Sequence, residues 1–258
     1  MSEMQPFFWY ELMTTDMPAA ERFYTTVVGW RAEAFPSPEM NYTVFNTGSH
    51  GVGGMMQQPP HLAEQKMPPA WVGYIFAPDV DNAAEGIKAA GGAVHRSPWD
   101  VPGVGRLAVV ADPGGAVFHV MTPAGQAPEN RPAWDTPGMV GWRELYAADW
   151  EKAFDFYASQ FGWTKNDTLD MGPMGKYQLF TSGPDQMGGM MTRPANIPVP
   201  FWQFYFIVDD IDTATKRVSD NGGTVLMGPH EVPGGGWIIQ AMDPQGGAFA
   251  LTGPRNKS

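Results

Sequence analysis

Two carboxylates occupy positions where they could do chemistry, because each recurs at the same place in a repeated segment. Glu11 lies in the sequence WYEL and Glu144 in WREL, and the segments around them match in register 133 residues apart. Side chains alternate along a strand, so each carboxylate shares a face with Trp9 or Trp142. A carboxylate that points into a protein needs a hydrogen-bond donor or a cation. We predict that Glu11 and Glu144 are polar anchors whose partner is a neighbouring side chain, a backbone N–H or a bound molecule.

The elements that must position these carboxylates are repeated as well. Each copy begins with a predicted strand, residues 7–14 or 140–147, and continues into a helix that starts after Asp16 or Asp149. Asp before an apolar-periodic segment and Gly after it are typical start and stop signals of a helix. Gly-Trp follows in both copies. The repeated unit is therefore a strand, a capped helix and a Gly-Trp exit.

The duplication extends over the whole chain and predicts two domains, residues 5–125 and 138–255. The sequence GGMM occurs twice, DPGGAVFH is matched by DPQGGAFA, and WVGYIFAPDVD is matched by WQFYFIVDDID. The stretch 123–138 is rich in Pro and Gly, which disfavour the interior of helices and strands, so it reads as a linker. Within each half, the order of strand, helix and further strands occurs twice. The chain thus holds four such units.

Composition excludes several classes of partner. The chain has 258 residues, 43% of them hydrophobic, which is ample for a sizeable core. A net charge of −11 argues against nucleic acid and anionic membranes, which attract basic surfaces. No apolar run reaches 18 residues, and the first residues lack the pattern of a signal peptide, so we expect a cytoplasmic protein without a membrane partner. The absence of Cys excludes disulfides, thiolate nucleophiles and Cys-bound metals.

Three motifs together resemble the vicinal oxygen chelate superfamily, the group of glyoxalases, bleomycin resistance proteins and extradiol dioxygenases. They are D-x-x-x-A-x-x-F-Y before the Gly-Trp exit, D-[VI]-D at a helix start, and the DP-x-G-x hairpin. The resemblance covers essentially the whole chain. It implies an α+β fold in which four βαβββ modules pair into two cups of curled sheet. Because this fold hosts many activities, function has to be argued from the site.

The resemblance also implies where metal ligands would stand, and these positions hold few hard ligands. On the implied pairing of modules, one cup collects Trp9, Met55 or Met56, Gln203 and Ala250; the other collects Trp142, Met190 or Met191, Val72 and His119. Trp and Val do not bind metals, and Met is a soft ligand that suits hard divalent ions poorly. We therefore predict no metal and no other cofactor, with a divalent metal as the alternative.

The predicted lining of the cups is aromatic with few polar groups, as is usual for small-molecule pockets. Tyr74 shares a face with Val72, and Tyr205 with Gln203, because strand residues alternate. His119 is either a pocket residue whose hydrogen bonds are satisfied or an acid–base group that exchanges a proton near neutral pH beside Glu144. The candidate catalytic residues are His119, Glu144 and Glu11. The candidate ligand-binding residues are Trp9, Trp142, Tyr74, Tyr205, Gln203, Met55, Met190 and Val72.

Three functional classes fit this pattern. The first, which we favour, is a metal-free protein that binds a small apolar or aromatic molecule in one or both cups, as bleomycin resistance proteins do. The second is a metal-dependent lyase or dioxygenase with unorthodox ligands, such as His119 with Glu144 and a tyrosine. The third is a structural or interaction protein with vestigial cups. The identity of the ligand and the oligomeric state stay open.

Overall fold

A computed structural model describes residues 4–36, 40–125, 131–184 and 186–256. Part of the predicted linker, residues 126–130, lies outside the described residues. The first module runs through β1 (Phe7–Thr14), α1 (Met17–Val27), β2 (Arg31–Ala34), β3 (Tyr42–Thr47) and β4 (His50–Gln57). A short helix, α2 (Pro60–Glu64), precedes the second module, which comprises β5 (Ala70–Phe76), α3 (Val80–Ala89), β6 (Ala93–Val101), β7 (Gly105–Ala111) and β8 (Val117–Pro123).

The second half of the chain has the same element order. The third module comprises β9 (Val140–Ala147), α4 (Trp150–Phe161), β10 (Thr164–Asp170), a 3-10 turn at Gly172–Met174, β11 (Lys176–Gly183) and β12 (Gln186–Thr192). The fourth comprises β13 (Phe201–Ile207), α5 (Ile211–Asp220), β14 (Thr224–Glu231), β15 (Trp237–Met242) and β16 (Ala248–Gly253). The protein therefore has the predicted α+β fold of four βαβββ modules.

Each module starts its helix with an aspartate cap. Asp16, Asp79, Asp149 and Asp210 have extended backbones, and each side chain accepts a hydrogen bond from a backbone N–H in the first turn of its helix. Such caps satisfy donors that have no partner inside the helix. The helix in the third module ends at Gly162, whose φ of 71° is left-handed and favours glycine.

The strands of every module pair in one pattern. The last strand lies parallel to the first, and the two strands before it extend the sheet in antiparallel pairs. The third and fourth modules repeat this order, with β12 beside β9 and β16 beside β13. Successive residues on these strands point to opposite faces, so the register decides which side chains share a face.

The modules are grouped into two compact units. Unit 1 holds the described residues of Met1–Trp9, Val72–Glu129 and Arg143–Trp202, and so combines the second and third modules. Unit 2 holds those of Tyr10–Trp71, Asn130–Trp142 and Gln203–Ser258, and so combines the first and fourth modules. Each of the predicted sequence domains, 5–125 and 138–255, therefore contributes one module to either unit.

A buried chain of hydrogen bonds ties residues of three modules together in each unit. In unit 1 the Trp202 indole N–H donates to the Tyr157 hydroxyl at 2.9 Å, and that hydroxyl donates to Asp112 at 3.2 Å. Burial, and secondly the charge of Asp112, raises the pKa of Tyr157. This network fixes α4 to the turn between β7 and β8, so the tyrosine of the F-Y motif has a structural role.

Unit 2 repeats the network with different residues. The Trp71 indole donates to the Tyr24 hydroxyl at 2.9 Å, and Tyr24 donates to Asp243 at 2.9 Å. Around it, the Trp30 ring stacks on Phe45 and meets Phe206 edge-on. The Trp, Tyr and Asp of the two networks therefore recur in the sequence because they form a repeated core rather than a repeated active site.

None of the described helices has both the length and the apolar composition that a membrane span requires.

Candidate functional site

The strand register of unit 1 gathers a polar row and an apolar row on one face of the second module. Tyr74 pairs with His119, His119 with Val109, and Val109 with Arg96, so these residues lie side by side across β5, β8, β7 and β6. We call them the His119 row. The next row, which we call the apolar row, consists of Phe76, Met121, Leu107 and Trp99.

The two rows lie on the face away from the helices. The ring of Phe118, next to His119 in the chain, packs against Tyr157 and Phe161 of α4 at centroid distances of 5.6 and 5.7 Å. Because strand residues alternate, His119 points the opposite way. On that side Tyr74, Leu107 and Met121 form a buried cluster, against which Phe8, Trp9, Trp99, Val101 and Val104 are packed.

His119 is a buried imidazole with an unpaired nitrogen. It is 5% exposed, and its ring lies edge-on to Tyr74 at 4.3 Å between centroids. No hydrogen-bond partner for Nδ1 is present among the described residues. Burial, and secondly the positive charge of Arg96, lowers the pKa of His119 to about 3. The imidazole is therefore neutral near pH 7. This differs from the prediction that His119 exchanges a proton near neutral pH. The difference arises because burial disfavours the charged imidazolium.

The low pKa of His119 predicts a loss of stability in mild acid. In the unfolded chain the histidine has a pKa of about 6.5, so protons favour the unfolded state as the pH falls from there towards 3. At pH 5 this linkage is worth about 2 kcal/mol. When the pH is lowered from 7.5 to 5, the free energy of unfolding of the unmodified protein should fall by about 2 kcal/mol more than that of His119→Phe. Urea unfolding of both proteins at both pH values measures this difference. The same pH dependence for both proteins would contradict the prediction.

The third module places Glu144 in a defined contact on its own sheet face. The Tyr177 hydroxyl donates to Glu144 Oε1 at 2.8 Å, and Glu144 is 7% exposed. The tyrosine ring lies directly over Gly189, where an added Cβ would come within 2.1 Å of it. Glycine at this position therefore leaves the space in which Tyr177 reaches the carboxylate.

The register of the same sheet corrects one predicted site residue. Gly189 pairs with Glu144, Met190 with Leu145, and Met191 with Tyr146. Met190 therefore lies on the face opposite to Glu144, and Met191 shares the face of Glu144. The prediction of Met190 as a lining residue fails because a shift of one residue reverses every side chain of a strand.

Unit 2 holds the counterparts of these residues. Glu11 pairs with Gly54, which the ring of Tyr42 covers as Tyr177 covers Gly189. Met55 pairs with Leu12, so Met56 rather than the predicted Met55 lies on the face of Glu11. On the fourth module, Tyr205 pairs with Ala250 and accepts a hydrogen bond from the Gln240 side chain at 2.8 Å. Gln203 lies on the same face and is 5% exposed.

The two tryptophans of the repeated strands fall in the units opposite to those predicted. Trp9 belongs to unit 1, where it packs against the cluster of Tyr74, Leu107 and Met121. Trp142 belongs to unit 2 and is partly buried. Val72 and His119 lie in unit 1, as predicted, and Gln203 and Ala250 in unit 2. Trp9 and Trp142 each lie in the unit opposite to the predicted one because β1 and β9 pass from one unit to the other just after the tryptophan.

Sequence reasoning missed Arg96, Trp99, Tyr177 and Gln240. Tyr177 could have been found, because KYQLFTSG matches NYTVFNTG and so aligns Tyr177 with Tyr42. Arg96 and Trp99 are harder to find. They lie on β6 in a stretch without regular alternation, where the register shifts twice. A bulge of this kind hides from the sequence which residues share a face.

A family model matches nearly the whole chain in two parts. The model of the Glyoxalase/Bleomycin resistance protein/Dioxygenase superfamily matches residues 7–120 and again residues 139–251. CFP32 of Mycobacterium tuberculosis (strain CDC 1551 / Oshkosh), assigned by name to the glyoxylases, is 30% identical over 250 residues, which are 95% of this chain and 94% of that protein. The anthracycline biosynthesis protein DnrV of Streptomyces peucetius is 31% identical over 255 residues, 94% of this chain and 91% of that protein.

Solved structures with the same fold include a glyoxalase and a dioxygenase. The Mn(II)-bound glyoxalase from Novosphingobium aromaticivorans has a TM-score of 0.67 and 17% identity, covering 99% of this chain and 84% of that one. The 2,3-dioxygenase LapB from Pseudomonas sp. KL28 has a TM-score of 0.67 and 14% identity, covering 99% of this chain and 94% of that one. At these identities the likeness concerns the fold alone.

Proposed function

The chain belongs to the glyoxalase, bleomycin resistance protein and dioxygenase superfamily, and from that premise we propose that unit 1 binds a small, largely apolar or aromatic molecule without a bound metal. The binding surface consists of the His119 row, the apolar row and the pair of Glu144 and Tyr177. Its aromatic lining with a few polar groups is the composition expected of a small-molecule pocket.

The unpaired nitrogen of His119 is the observation that carries this proposal. A buried polar atom without a partner costs about 1–3 kcal/mol. Nδ1 of His119 is such an atom among the described residues, and the imidazole lies against Tyr74 of the buried cluster of Tyr74, Leu107 and Met121. A neutral imidazole offers one N–H and one bare nitrogen, so a hydroxyl or amide of a ligand can pair with it. Binding then supplies the hydrogen bond that His119 Nδ1 lacks in the free protein, and so offsets the free energy of leaving this buried atom unpaired.

Glu144 and Tyr177 supply a second polar contact within unit 1. The carboxylate already accepts from the Tyr177 hydroxyl, which holds one of its oxygens in place. A carboxylate has room for further hydrogen bonds, because each oxygen can accept two. It can therefore accept from an O–H or N–H of the ligand while its own position stays fixed.

The donor set of this surface does not fit the divalent metal that the family's enzymes use. Within the described ranges, no three His, Cys, Asp or Glu side chains come together in a way that could hold a metal ion. The residues beside His119 in its row are Tyr74 and Val109, and Met191 is a soft ligand. The Glu144 carboxylate already accepts a hydrogen bond from the Tyr177 hydroxyl. We therefore propose a binding site that works without a metal ion.

The proposal is tested with 2-naphthalenemethanol, a neutral aromatic alcohol, by isothermal titration calorimetry. Tyr74 and Tyr205 are equivalent residues of the two units and both are buried, so their alanine variants are a matched pair. We expect Tyr74→Ala to weaken binding at least about tenfold and Tyr205→Ala to leave it within about twofold. Absence of binding to the unmodified protein, or equal losses in both variants, would overturn the proposal.

Replacing Glu144 by glutamine separates a binding role from a structural one. Gln keeps the size of Glu and one acceptor oxygen, so we expect the free energy of unfolding to change by no more than about 1 kcal/mol. Affinity for 2-naphthalenemethanol is expected to fall about tenfold, because a charge-assisted hydrogen bond is lost. Glu11→Gln is the control from unit 2. Loss of stability with unchanged affinity would make Glu144 a structural residue only.

A further inference from the structure

Arg96 stands at the outer end of the His119 row. It pairs with Val109, which in turn pairs with His119, so the three residues lie in line across β6, β7 and β8. Its guanidinium carbon lies 3.5 Å from the centre of the Trp99 ring. A guanidinium that stacks on an aromatic ring through its flat face keeps its N–H groups in the plane and available. Arg96 therefore presents donors beside the apolar row.

The charge of Arg96 is not neutralised by a carboxylate. No ion pair involves Arg96 in the part of the chain that the structure describes. Arg106, on the adjacent strand β7, contrasts with it, since it pairs with Asp81 at 2.6 Å and with Asp100 at 3.0 Å.

Building on the proposed function, we propose that the ligand of unit 1 is an aromatic carboxylate whose carboxyl group pairs with Arg96. The guanidinium fork matches a carboxylate with two parallel N–H donors. The rings of the ligand then lie along Trp99, Leu107 and Met121, within reach of His119. Arg96 thereby selects the acid over a neutral molecule of the same shape.

The test compares acids with alcohols of the same ring system. Benzoate, 2-naphthoate and 9-anthroate are titrated by calorimetry beside benzyl alcohol, 2-naphthalenemethanol and 9-anthracenemethanol. We expect the unmodified protein to bind the acid of the best-fitting pair about tenfold more tightly than its alcohol. Arg96→Gln should remove this preference, so that the acid and its alcohol bind this variant with affinities within about twofold of each other. Arg106→Gln, the matched control, should retain the preference.

The outcomes separate this inference from the function on which it rests. Equal affinity of the unmodified protein for acid and alcohol, with both weakened by Tyr74→Ala, overturns the role of Arg96 and leaves the binding function standing. Equal losses of acid affinity in Arg96→Gln and Arg106→Gln also overturn it, since the effect would then come from overall charge. If no acid and no alcohol of the panel binds, both the inference and the proposed function fail.

Discussion

Replacing Trp163 by alanine is expected to lower the free energy of unfolding by about 3–5 kcal/mol, the usual cost of removing a fully packed tryptophan. Trp163 is 2% exposed and lies between two aromatic rings, stacked on Tyr157 at 4.8 Å and on Phe180 at 5.0 Å. Its indole N–H donates to the backbone carbonyl of Gln5 at 2.9 Å. Alanine would leave a cavity among these rings and an unpaired carbonyl.

Trp134 is the matched control for this prediction. It is a tryptophan that is 56% exposed, so Trp134→Ala should change the free energy of unfolding by no more than about 0.5 kcal/mol. Urea unfolding followed by circular dichroism measures both variants without relying on tryptophan fluorescence. Similar small losses in the two variants would show that the Gly-Trp exit does not anchor the core of unit 1.

Replacing Asp112 by alanine is expected to cost about 2–4 kcal/mol, because two buried donors lose their acceptor. Asp112 Oδ1 accepts from the backbone N–H of Ala116 at 2.9 Å, and Oδ2 accepts from the Tyr157 hydroxyl. The first contact closes the turn between β7 and β8, and the second fixes that turn to α4. The variant should therefore both unfold more readily and open this hairpin, which hydrogen exchange at β8 would detect.

Asp149 provides the comparison for Asp112. It caps α4 from an exposed position, accepting from the backbone N–H groups of Glu151 and Lys152. Loss of a cap costs about 1 kcal/mol, so Asp149→Ala should be distinctly milder than Asp112→Ala. Tyr157→Phe should lie between them, since it removes only the hydroxyl. If Asp112→Ala were no worse than Asp149→Ala, the buried network would not hold the modules of unit 1 together.

The sequence was sufficient for the fold because its signals are local and repeated. Strands were predicted at residues 7–14 and 140–147, and β1 and β9 have these bounds. Asp16 and Asp149 cap their helices as predicted. Such signals depend on the nearest few residues, whose chemistry the sequence states directly. The repeat then made the module order visible without any knowledge of packing.

The site was less predictable because it depends on register and burial. The sequence leaves open whether Met55 or Met56, and Met190 or Met191, shares the face of the carboxylate, since a short strand of Gly and Met carries no alternation that fixes its register. The pKa of His119 was misjudged because burial is a property of the packed unit. The stacking of Arg96 on Trp99 follows from a bulged strand, which no pattern in the sequence marks.

The most direct test of the central claim is a crystal structure of the protein with bound 2-naphthalenemethanol. The proposed function predicts density for the naphthyl group in unit 1, against Tyr74 and the apolar row. The hydroxyl should lie within hydrogen-bond distance, about 3 Å, of His119 Nδ1 or of the Glu144 carboxylate. Density confined to unit 2, or to the surface groove around Asp79, Asp100 and Arg106, would contradict the claim that these two faces of unit 1 form the binding site.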